Sequence, residues 1–344
     1  MFLISLEQAI NGDLFHMAKL FSIEKAELGS QWDHFIDRSP DRTIFAKTDY
    51  LLNVDCRIGT YFCFNSSELR GAIVLVESKD GSEVIIDDLV IYSGIYLGPP
   101  TNKQNQSQQL SERFEVVSFI ADWLARTYSK IEFSLPPTVI DIRPFQWFNY
   151  GSDKNRYAID VRYTSFLDIS DFSIAKNLDE IGCYVQSSYS RKQQIRYAKK
   201  DGVTTEEFTD FKLFIDFYIL TMQRQNINII HDKMDKMKNL IGALIKKEKG
   251  KMFISKDRIG NIGSVAVYGL DGREAWYLFG ASDPNMRNTP TGTAVLWDAF
   301  DRLAKCGITT VDLEGVNSPK RGWFKLSFGG TLKPYYSISN TISV

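Results

Sequence analysis

Two carboxylates near the C-terminal end of the sequence have a spacing that suits proton transfer. Asp312 and Glu314 flank Leu313, so they point to the same side of an extended chain. The predicted strand Thr309–Leu313 ends here, and open α/β sheets bind ligands beyond the carboxyl ends of their strands. Either carboxylate could accept a proton from a substrate, and Glu314, beside Gly315, is the better candidate. The alternative is structural, with Asp312 in a turn or salt bridge and Glu314 as a polar strand end.

A helix start upstream could bind an anion. The predicted strand Ala275–Ala281 leads through a loop to a predicted helix, Thr293–Cys306, with Pro290 before it. The first N–H groups of a helix are unpaired and lie at the positive end of its dipole, so they can hold the phosphates of a coenzyme or nucleotide. Alternatively, Thr291 or Thr293 is an ordinary N-cap and Gly292 eases the turn. The residues predicted to contact such a donor are Phe279, Gly280, Thr291, Gly292 and Thr293.

A basic helix is predicted at about Ser187–Lys200. Lys192, Arg196 and Lys200 follow one another at i, i+4 and i+8, and like charges on one helix face repel unless an anion faces them. Arg191 and Arg196 are the better candidates for phosphate, because a guanidinium can bind it with two hydrogen bonds. The alternative is a solvated face that is neutralised by the acidic side chains that follow, Asp201, Glu206 and Glu207.

A third group of candidates lies in the first half of the chain. Arg143, Trp147 and Tyr150 precede the predicted domain junction, where clefts are common, and aromatic faces stack on sugars and bases. Packing in the core is the alternative role for these side chains.

Composition and charge narrow the class of protein. The chain has 41 basic and 42 acidic side chains, so any recognition of phosphate must be local. No stretch has the length of a membrane span or the pattern of a signal peptide, and we expect a cytoplasmic protein. The cysteines and histidines show no metal-ligand spacing, so we expect reduced thiols, no metal site and no cysteine nucleophile. These residues are Cys56, Cys63, Cys183, Cys306, His16, His34 and His231.

The first half of the sequence alternates strands with helices. Strands are predicted at Cys56–Phe64, Ala72–Glu77 and Val84–Ile91, and Asp80-Gly81 marks a hairpin turn. The polar tract Thr101–Ser111 has no apolar periodicity and is predicted to be a surface loop. A helix at Phe114–Tyr128 and a strand at Ile131–Leu135 follow.

The second half repeats this order. Helices at Phe208–Gln225 and Lys233–Lys247 precede a three-stranded meander, Met252–Lys256, Gly263–Leu270 and Ala275–Ala281. The strand, helix and strand that follow imply a crossover with parallel pairing. A length of 344 residues suits two domains, and we predict an α/β (α+β) chain divided into residues 1–155 and 156–344.

The segments of the second half, in their order, resemble one protein family. They are WYLFGA, a proline before a helix that contains Leu296-Trp297, then CGITTVDLEG and GWFKLSFGG, with SYSRKQQIRYAKKDGV upstream. Over residues 160–340 the chain is similar to the Fem aminoacyltransferases of the GCN5-related N-acetyltransferase (GNAT) superfamily. The resemblance implies two GNAT-like domains, each a mixed, mostly antiparallel twisted sheet flanked by helices.

The resemblance also implies an activity. Such proteins transfer an acyl or aminoacyl group from an acyl-CoA or an aminoacyl-tRNA to the amine of an amino sugar, nucleotide-sugar or cell-wall precursor, with no tightly bound cofactor. Lys325 matches the family's F-K pair, where a lysine meets a phosphate or the charge of the acyl intermediate, and Trp323 and Phe324 would line the acceptor. Without the resemblance, Lys325 would be a surface lysine on a turn whose aromatic residues only pack.

Transfer to an amine requires removal of a proton from the ammonium, donors for the oxyanion and close placement of both substrates. We therefore expect the Pro290–Gly292 loop to lie beside the F-K segment. Two other hypotheses stay open: a non-catalytic GNAT-fold binding protein of an envelope-glycan pathway, and a tRNA-binding regulator. The sequence predicts no oligomeric state.

Overall fold

The computed structural model of the protein describes residues 21–100, 104–223, 231–286 and 288–341. Two compact units divide the chain: residues up to Val161 together with those from Tyr335 onward form unit 1, and Arg162–Pro334 form unit 2. The predicted division placed residues 156–344 together, whereas residues from Tyr335 onward, in the C-terminal strand Thr331–Thr341, belong with unit 1. Sequence-local patterns do not reveal such a return of the chain.

Unit 1 is built on a mainly antiparallel sheet. Its strand order is β1-β2-β3-β4-β6-β13, and β5 pairs with β3. Only the short β4 and β6 run parallel among the pairs described in this unit. The strands are β1 Phe21–Lys25, β2 Arg57–Asn65, β3 Glu68–Glu77, β4 Glu83–Val84, β5 Gly94–Leu97, β6 Lys130–Ser134 and β13 Thr331–Thr341.

One long helix covers the sheet of unit 1. The helices are α1 Ser30–Arg38, α2 Thr48–Leu51, α3 Gln106–Thr127 and α4 Arg143–Gln146. Val117, Ile120 and Leu124 of α3 are buried in the core that the sheet provides.

Two predictions for this half were wrong. The tract Thr101–Ser111 is not a loop throughout, because α3 begins at Gln106; Asn105 and Gln108 form a capping box that satisfies N–H groups at its start. Residues 101–103 lie outside the described part of the chain. The predicted strand Val84–Ile91 ends at Val84.

Unit 2 has the strand order β7-β12-β11-β10-β9-β8. β12 pairs parallel with β11 and antiparallel with β7, and the β8-to-β11 pairs are antiparallel, as the meander predicted. The strands are β7 Ala158–Asp168, β8 Thr204–Glu207, β9 Gly250–Lys256, β10 Ile262–Asp271, β11 Glu274–Ser282 and β12 Thr310–Asp312.

The helix Thr291–Lys305, α9, forms the centre of the unit 2 core. Its apolar side chains recur at helical spacing, so one face enters the core, where Trp297 packs on Phe172 with ring centroids 4.8 Å apart and Phe300 packs on Phe328. The helices are α5 Gly182–Gln186, α6 Tyr189–Lys200, α7 Phe211–Gln223, α8 His231–Lys246, α9 Thr291–Lys305 and α10 Pro319–Leu326.

The predicted α/β class with mostly antiparallel sheets is confirmed. Within the described ranges, no helix is both long enough and apolar enough to cross a bilayer.

Candidate active site

Strands β11 and β12 share only a short parallel pairing. They pair at Glu274–Thr310, Ala275–Val311 and Trp276–Asp312, after which β12 ends and β11 continues to Ser282. β11 also carries an irregularity: Tyr268 of β10 faces Tyr277, whereas Val267 faces Phe279, which leaves Leu278 as an extra residue. Bulges of this kind re-aim side chains and are frequent beside active sites. Beyond Trp276, β11 therefore continues past the end of β12, with the bulge at Leu278 in that part of the strand.

Asp312 stabilises the end of β12. It is buried, and its Oδ1 accepts a hydrogen bond from Thr164 Oγ1 and another, 2.8 Å long, from the backbone N–H of Glu314. The structure therefore supports a turn-forming role for Asp312. The strand ends at this residue, so the alternation expected to place both carboxylates on one face does not extend to Glu314.

Glu314 combines an unusual backbone with a buried side chain. Its φ is +55°, a left-handed conformation that is uncommon outside glycine, asparagine and aspartate. Burial raises the pKa of this carboxyl well above its usual range, and nearby Asp312 raises it further against the opposing effect of Lys325. Within the described residues, Oε1 of Glu314 has no hydrogen-bond partner. Strain together with an unsatisfied buried acceptor is typical of a functional position.

Lys325 approaches the same place from α10. Its Nζ donates to the carbonyl of Gly315 at 3.3 Å and lies 5.2 Å from the ring centroid of Tyr277. Burial lowers the pKa of this amine, and the charge of Arg321 lowers it further, while Glu314 and Asp312 oppose both effects. Lys325 is therefore directed towards Glu314 and Tyr277, and the alternative role of a surface lysine does not describe it.

Tyr277 belongs to this cluster and was missed from the sequence. Burial raises the pKa of its phenol, and the charge of Glu314 raises it further. The hydroxyl occupies the space beside Gly280, where an added Cβ would lie 1.6 Å from it. Only glycine fits at position 280 while the Tyr277 side chain lies there. The sequence does not indicate this contact, because it depends on the bulge at Leu278.

The start of α9 is lined by hydroxyl groups. Pro290 precedes the helix and no side chain caps it, so Thr291 is its first residue and not its N-cap. Thr291 Oγ1 lies 3.3 Å from Ser264 Oγ, and its carbonyl accepts from Ser255 Oγ at 2.7 Å. A Cβ at Gly292 would meet only ordinary contacts, at 3.6 Å from Ser264 Oγ. Phe279 packs in an aromatic group with Phe214 and Tyr218.

Arg191 joins the start of α9 to the F-K segment. Its guanidinium donates to Thr293 Oγ1, to Gln194 Oε1 at 2.7 Å and to Ser327 Oγ at 2.8 Å. It also lies between two rings, 4.4 Å from the centroid of Phe324 and 4.3 Å from that of Phe328. The expected proximity of these two segments is therefore present, and Arg191, 6% exposed, is what holds them together.

The other basic candidates on α6 make local contacts. Arg196 is exposed and donates to the hydroxyl of Tyr184 at 3.2 Å, and Lys192 donates to the carbonyl of Val185 at 2.8 Å. Trp323 is 73% exposed on α10. The structure thus groups Glu314, Lys325 and Tyr277, and leaves the basic stripe of α6 on the surface.

The candidates in unit 1 form a cluster of their own. Arg143 binds both carboxylate oxygens of Asp141 and lies 5.4 Å from the ring centroids of Phe114 and Trp147. Trp147 and Tyr150 are largely exposed, so packing in the core does not account for them.

Comparisons with known proteins match one part of the chain to a domain family and the fold of the chain to solved structures. The acetyltransferase (GNAT) domain model matches residues 187–321. Across 93% of the chain the fold is similar to the crystal structure of FemX, 97% of which is covered, with a TM-score of 0.61 and 15% identity. No curated protein matches at a significant level.

Two further structures share the fold. One is the C-terminal domain of a putative lysylphosphatidylglycerol synthetase from Agrobacterium fabrum, with a TM-score of 0.51 and 11% identity over 89% of each chain. The other is L-PGS from Bacillus licheniformis, with a TM-score of 0.50 and 12% identity over 92% of each chain. These matches show an acetyltransferase (GNAT) domain over residues 187–321 and a fold of the chain that is similar to that of FemX.

Proposed function

We propose that the protein transfers an acyl or aminoacyl group from an activated donor to the amine of an amino sugar, a nucleotide-sugar or a cell-envelope precursor. The observation that carries the proposal is the cluster of Glu314, Lys325 and Tyr277 beyond the end of β12. A buried carboxyl with an unsatisfied oxygen, an amine and a phenol there meet the chemical demands of this reaction.

Glu314 would receive the proton of the acceptor. The attacking nitrogen must be a neutral amine, and a carboxylate whose pKa is raised by burial is a stronger base than an exposed one. The nitrogen then forms its bond to the acyl carbon, and the bond from that carbon to the leaving sulfur or oxygen breaks. After the attack the nitrogen carries a positive charge, and it loses a second proton to solvent as the intermediate collapses to the amide. The first proton passes from Glu314 to the leaving thiolate or alkoxide, which restores the carboxylate, so charge and protons balance over the cycle.

Lys325 would stabilise the tetrahedral intermediate. Its amine is the cation nearest to Gly315 and Tyr277 among the contacts described, and a preorganised positive charge in a site that excludes water lowers the energy of an oxyanion. Tyr277 would hold the ammonium in place through its ring and supply a hydroxyl close to Gly280.

The donor would be an acyl-CoA or an aminoacyl-tRNA, since both carry phosphates. The start of α9 supports this, because its first N–H groups have no side-chain cap and such groups suit a phosphate. The name of one structural neighbour, a putative lysylphosphatidylglycerol synthetase, supports an aminoacyl donor and an envelope acceptor.

The test is an acyl-transfer assay with each donor class against a panel of amino sugars and envelope precursors. In Lys325→Ala and in Glu314→Gln we expect the rate to fall by about 10²–10³. The matched controls are Lys246→Ala and Glu248→Gln, both exposed, which should retain the wild-type rate. A loss no greater than a few-fold in both site variants would refute the assignment. Binding of coenzyme A without transfer would favour a non-catalytic binding protein, and tRNA binding without transfer a regulator.

A further inference from the structure

Two segments of unit 2 have a one-sided charge. Residues 182–200 contain five Lys and Arg residues and no Asp or Glu, and residues 315–334 contain four and again none. The whole chain, by contrast, has 41 basic and 42 acidic side chains. A concentration of one sign in a balanced chain indicates a local anionic partner.

The fold brings these two segments together. The backbone N–H of Ser188, at the start of α6, donates to the carbonyl of Ser327, at the end of α10, at 3.0 Å. Arg191 donates to the side chain of the same serine at 2.8 Å. We call the exposed parts of α5, α6 and α10 the basic aromatic surface.

Large apolar side chains are exposed on this surface. Tyr189 is 77% exposed and Trp323 is 73% exposed, and Tyr197 and Val185 are each almost half exposed. Tyr189 and Tyr197 lie two turns apart on one face of α6. On α10, Trp323 lies one turn before Ser327, and the backbone N–H of Ser327 donates to the carbonyl of Trp323. Tyr189 follows Ser188 and Trp323 lies one turn before Ser327, so these two side chains flank the contact between the segments. Val185 and Tyr197 extend the exposed apolar side chains along the first segment.

We propose that the basic aromatic surface docks on an anionic phospholipid bilayer. Trp and Tyr prefer the interface between headgroups and acyl chains, and Lys and Arg are attracted to anionic headgroups. The cations exposed here are mainly lysines, whose point charges suit a diffuse layer of phosphates better than the fixed geometry of a nucleic acid.

The arginines of the surface are already hydrogen-bonded within the protein. Arg191 is buried, Arg196 donates to Tyr184 and Arg321 donates to Ser318. Forked guanidinium groups, which would recognise individual phosphates of an RNA, are therefore less available than the lysines. This distinction, with the aliphatic Val185 in the patch, favours a bilayer as the partner.

Docking in this way has a consequence for the site. Lys325 lies two residues after Trp323 on α10, so the cluster of Glu314, Lys325 and Tyr277 would be held near the headgroups, and the acceptor amine would belong to a lipid-anchored molecule or a headgroup. This consequence rests on the proposed function, but the docking surface does not.

The test is co-sedimentation of the full chain, without donor, with vesicles of phosphatidylcholine alone or with added phosphatidylglycerol. We expect binding only to the anionic vesicles, decreasing with salt, and a reduction of about tenfold in partitioning for Trp323→Ala and for Lys320→Gln/Arg321→Gln. Trp147→Ala and Lys246→Gln/Lys247→Gln, in other parts of the chain, are the matched controls and should bind like the wild type.

The proposal is wrong if the wild type does not sediment with anionic vesicles, or if the control variants lose as much binding as the surface variants. Binding of tRNA that depends on the same residues, with no vesicle binding, would assign the surface to a nucleic acid instead. Transfer to a water-soluble amine is measured separately, so a failure of docking is distinguishable from a failure of the acyltransferase assignment.

Discussion

Replacement of Arg191 by alanine should destabilise unit 2 substantially. The guanidinium makes three hydrogen bonds and lies between two aromatic rings. Hydrogen bonds to a charged group stabilise by about 1.5–3 kcal/mol each, and a cation over a ring by about 0.5–1 kcal/mol. The opposing cost is burial, which lowers the pKa of Arg191 from 12.5 to about 10, or about 3 kcal/mol. The difference is a loss of about 2–8 kcal/mol, and we expect the lower half of that range, about 3–5 kcal/mol, which is usual for a broken buried charged network.

Arg191→Met separates packing from charge. Methionine keeps an apolar stem between Phe324 and Phe328, and it removes the cost of burying a cation. Thr293 and Gln194 still satisfy each other, because the threonine hydroxyl donates to the amide oxygen at 2.8 Å. We therefore expect Arg191→Met to lose only about 1 kcal/mol.

The measurement is urea unfolding of both variants and the wild type, monitored by fluorescence and circular dichroism. The dependence of the unfolding free energy on urea concentration is compared between the proteins, to check that each exposes the same surface on unfolding. If Arg191→Ala loses less than about 1 kcal/mol, the bridge between α9 and α10 contributes nothing and the reasoning fails. Equal losses in both variants would show that the charge, and not the stem, is what the site requires.

Two other predictions follow from the same cluster. Gly280→Ala would place a Cβ against the Tyr277 hydroxyl and should lower the free energy of unfolding by about 1–3 kcal/mol. The same change in a Tyr277→Leu background should have no such penalty, and Gly292→Ala, which has room for a Cβ, is the control. An equal penalty with and without Tyr277 would contradict the contact. Glu314→Gln should become more stable relative to the wild type as pH rises, because a carboxyl with a raised pKa contributes its stability below the unfolded value of about 4.5 and loses it as pH passes the folded value. Melting temperatures between pH 5 and 8 measure this difference, and a constant difference would refute it.

Much of the secondary structure was predictable because it depends on neighbours in sequence. The apolar period of α9, the meander β9 to β11 and its turns at Gly260 and Gly272 are readable from residue types, and both glycines have positive φ. The start of α3 was not predicted, since its polar first turns have no apolar period and depend on the capping box at Asn105.

The candidate site was only partly predictable. Glu314 and Lys325 were identified from a strand end and a family resemblance, and they lie close enough for each to shift the pKa of the other. Arg191 was predicted to bind substrate because a basic helix suggests an anion. Its partners come from α6, α9 and α10, and no spacing along the chain indicates that they meet.

The sequence alone determined the α/β class, the candidate carboxylate and lysine, and the balanced charge with its two one-sided segments. Periodicity, residue chemistry and composition are properties of short stretches of chain, so they can be read without knowledge of the fold. Only the tertiary structure decided that Asp312 stabilises a turn, that Tyr277 joins the site and that Arg191 connects α9 to the end of α10 through hydrogen bonds. Hydrogen bonds, desolvation and ring contacts depend on groups that are distant in sequence, and a folded core is what brings them within reach.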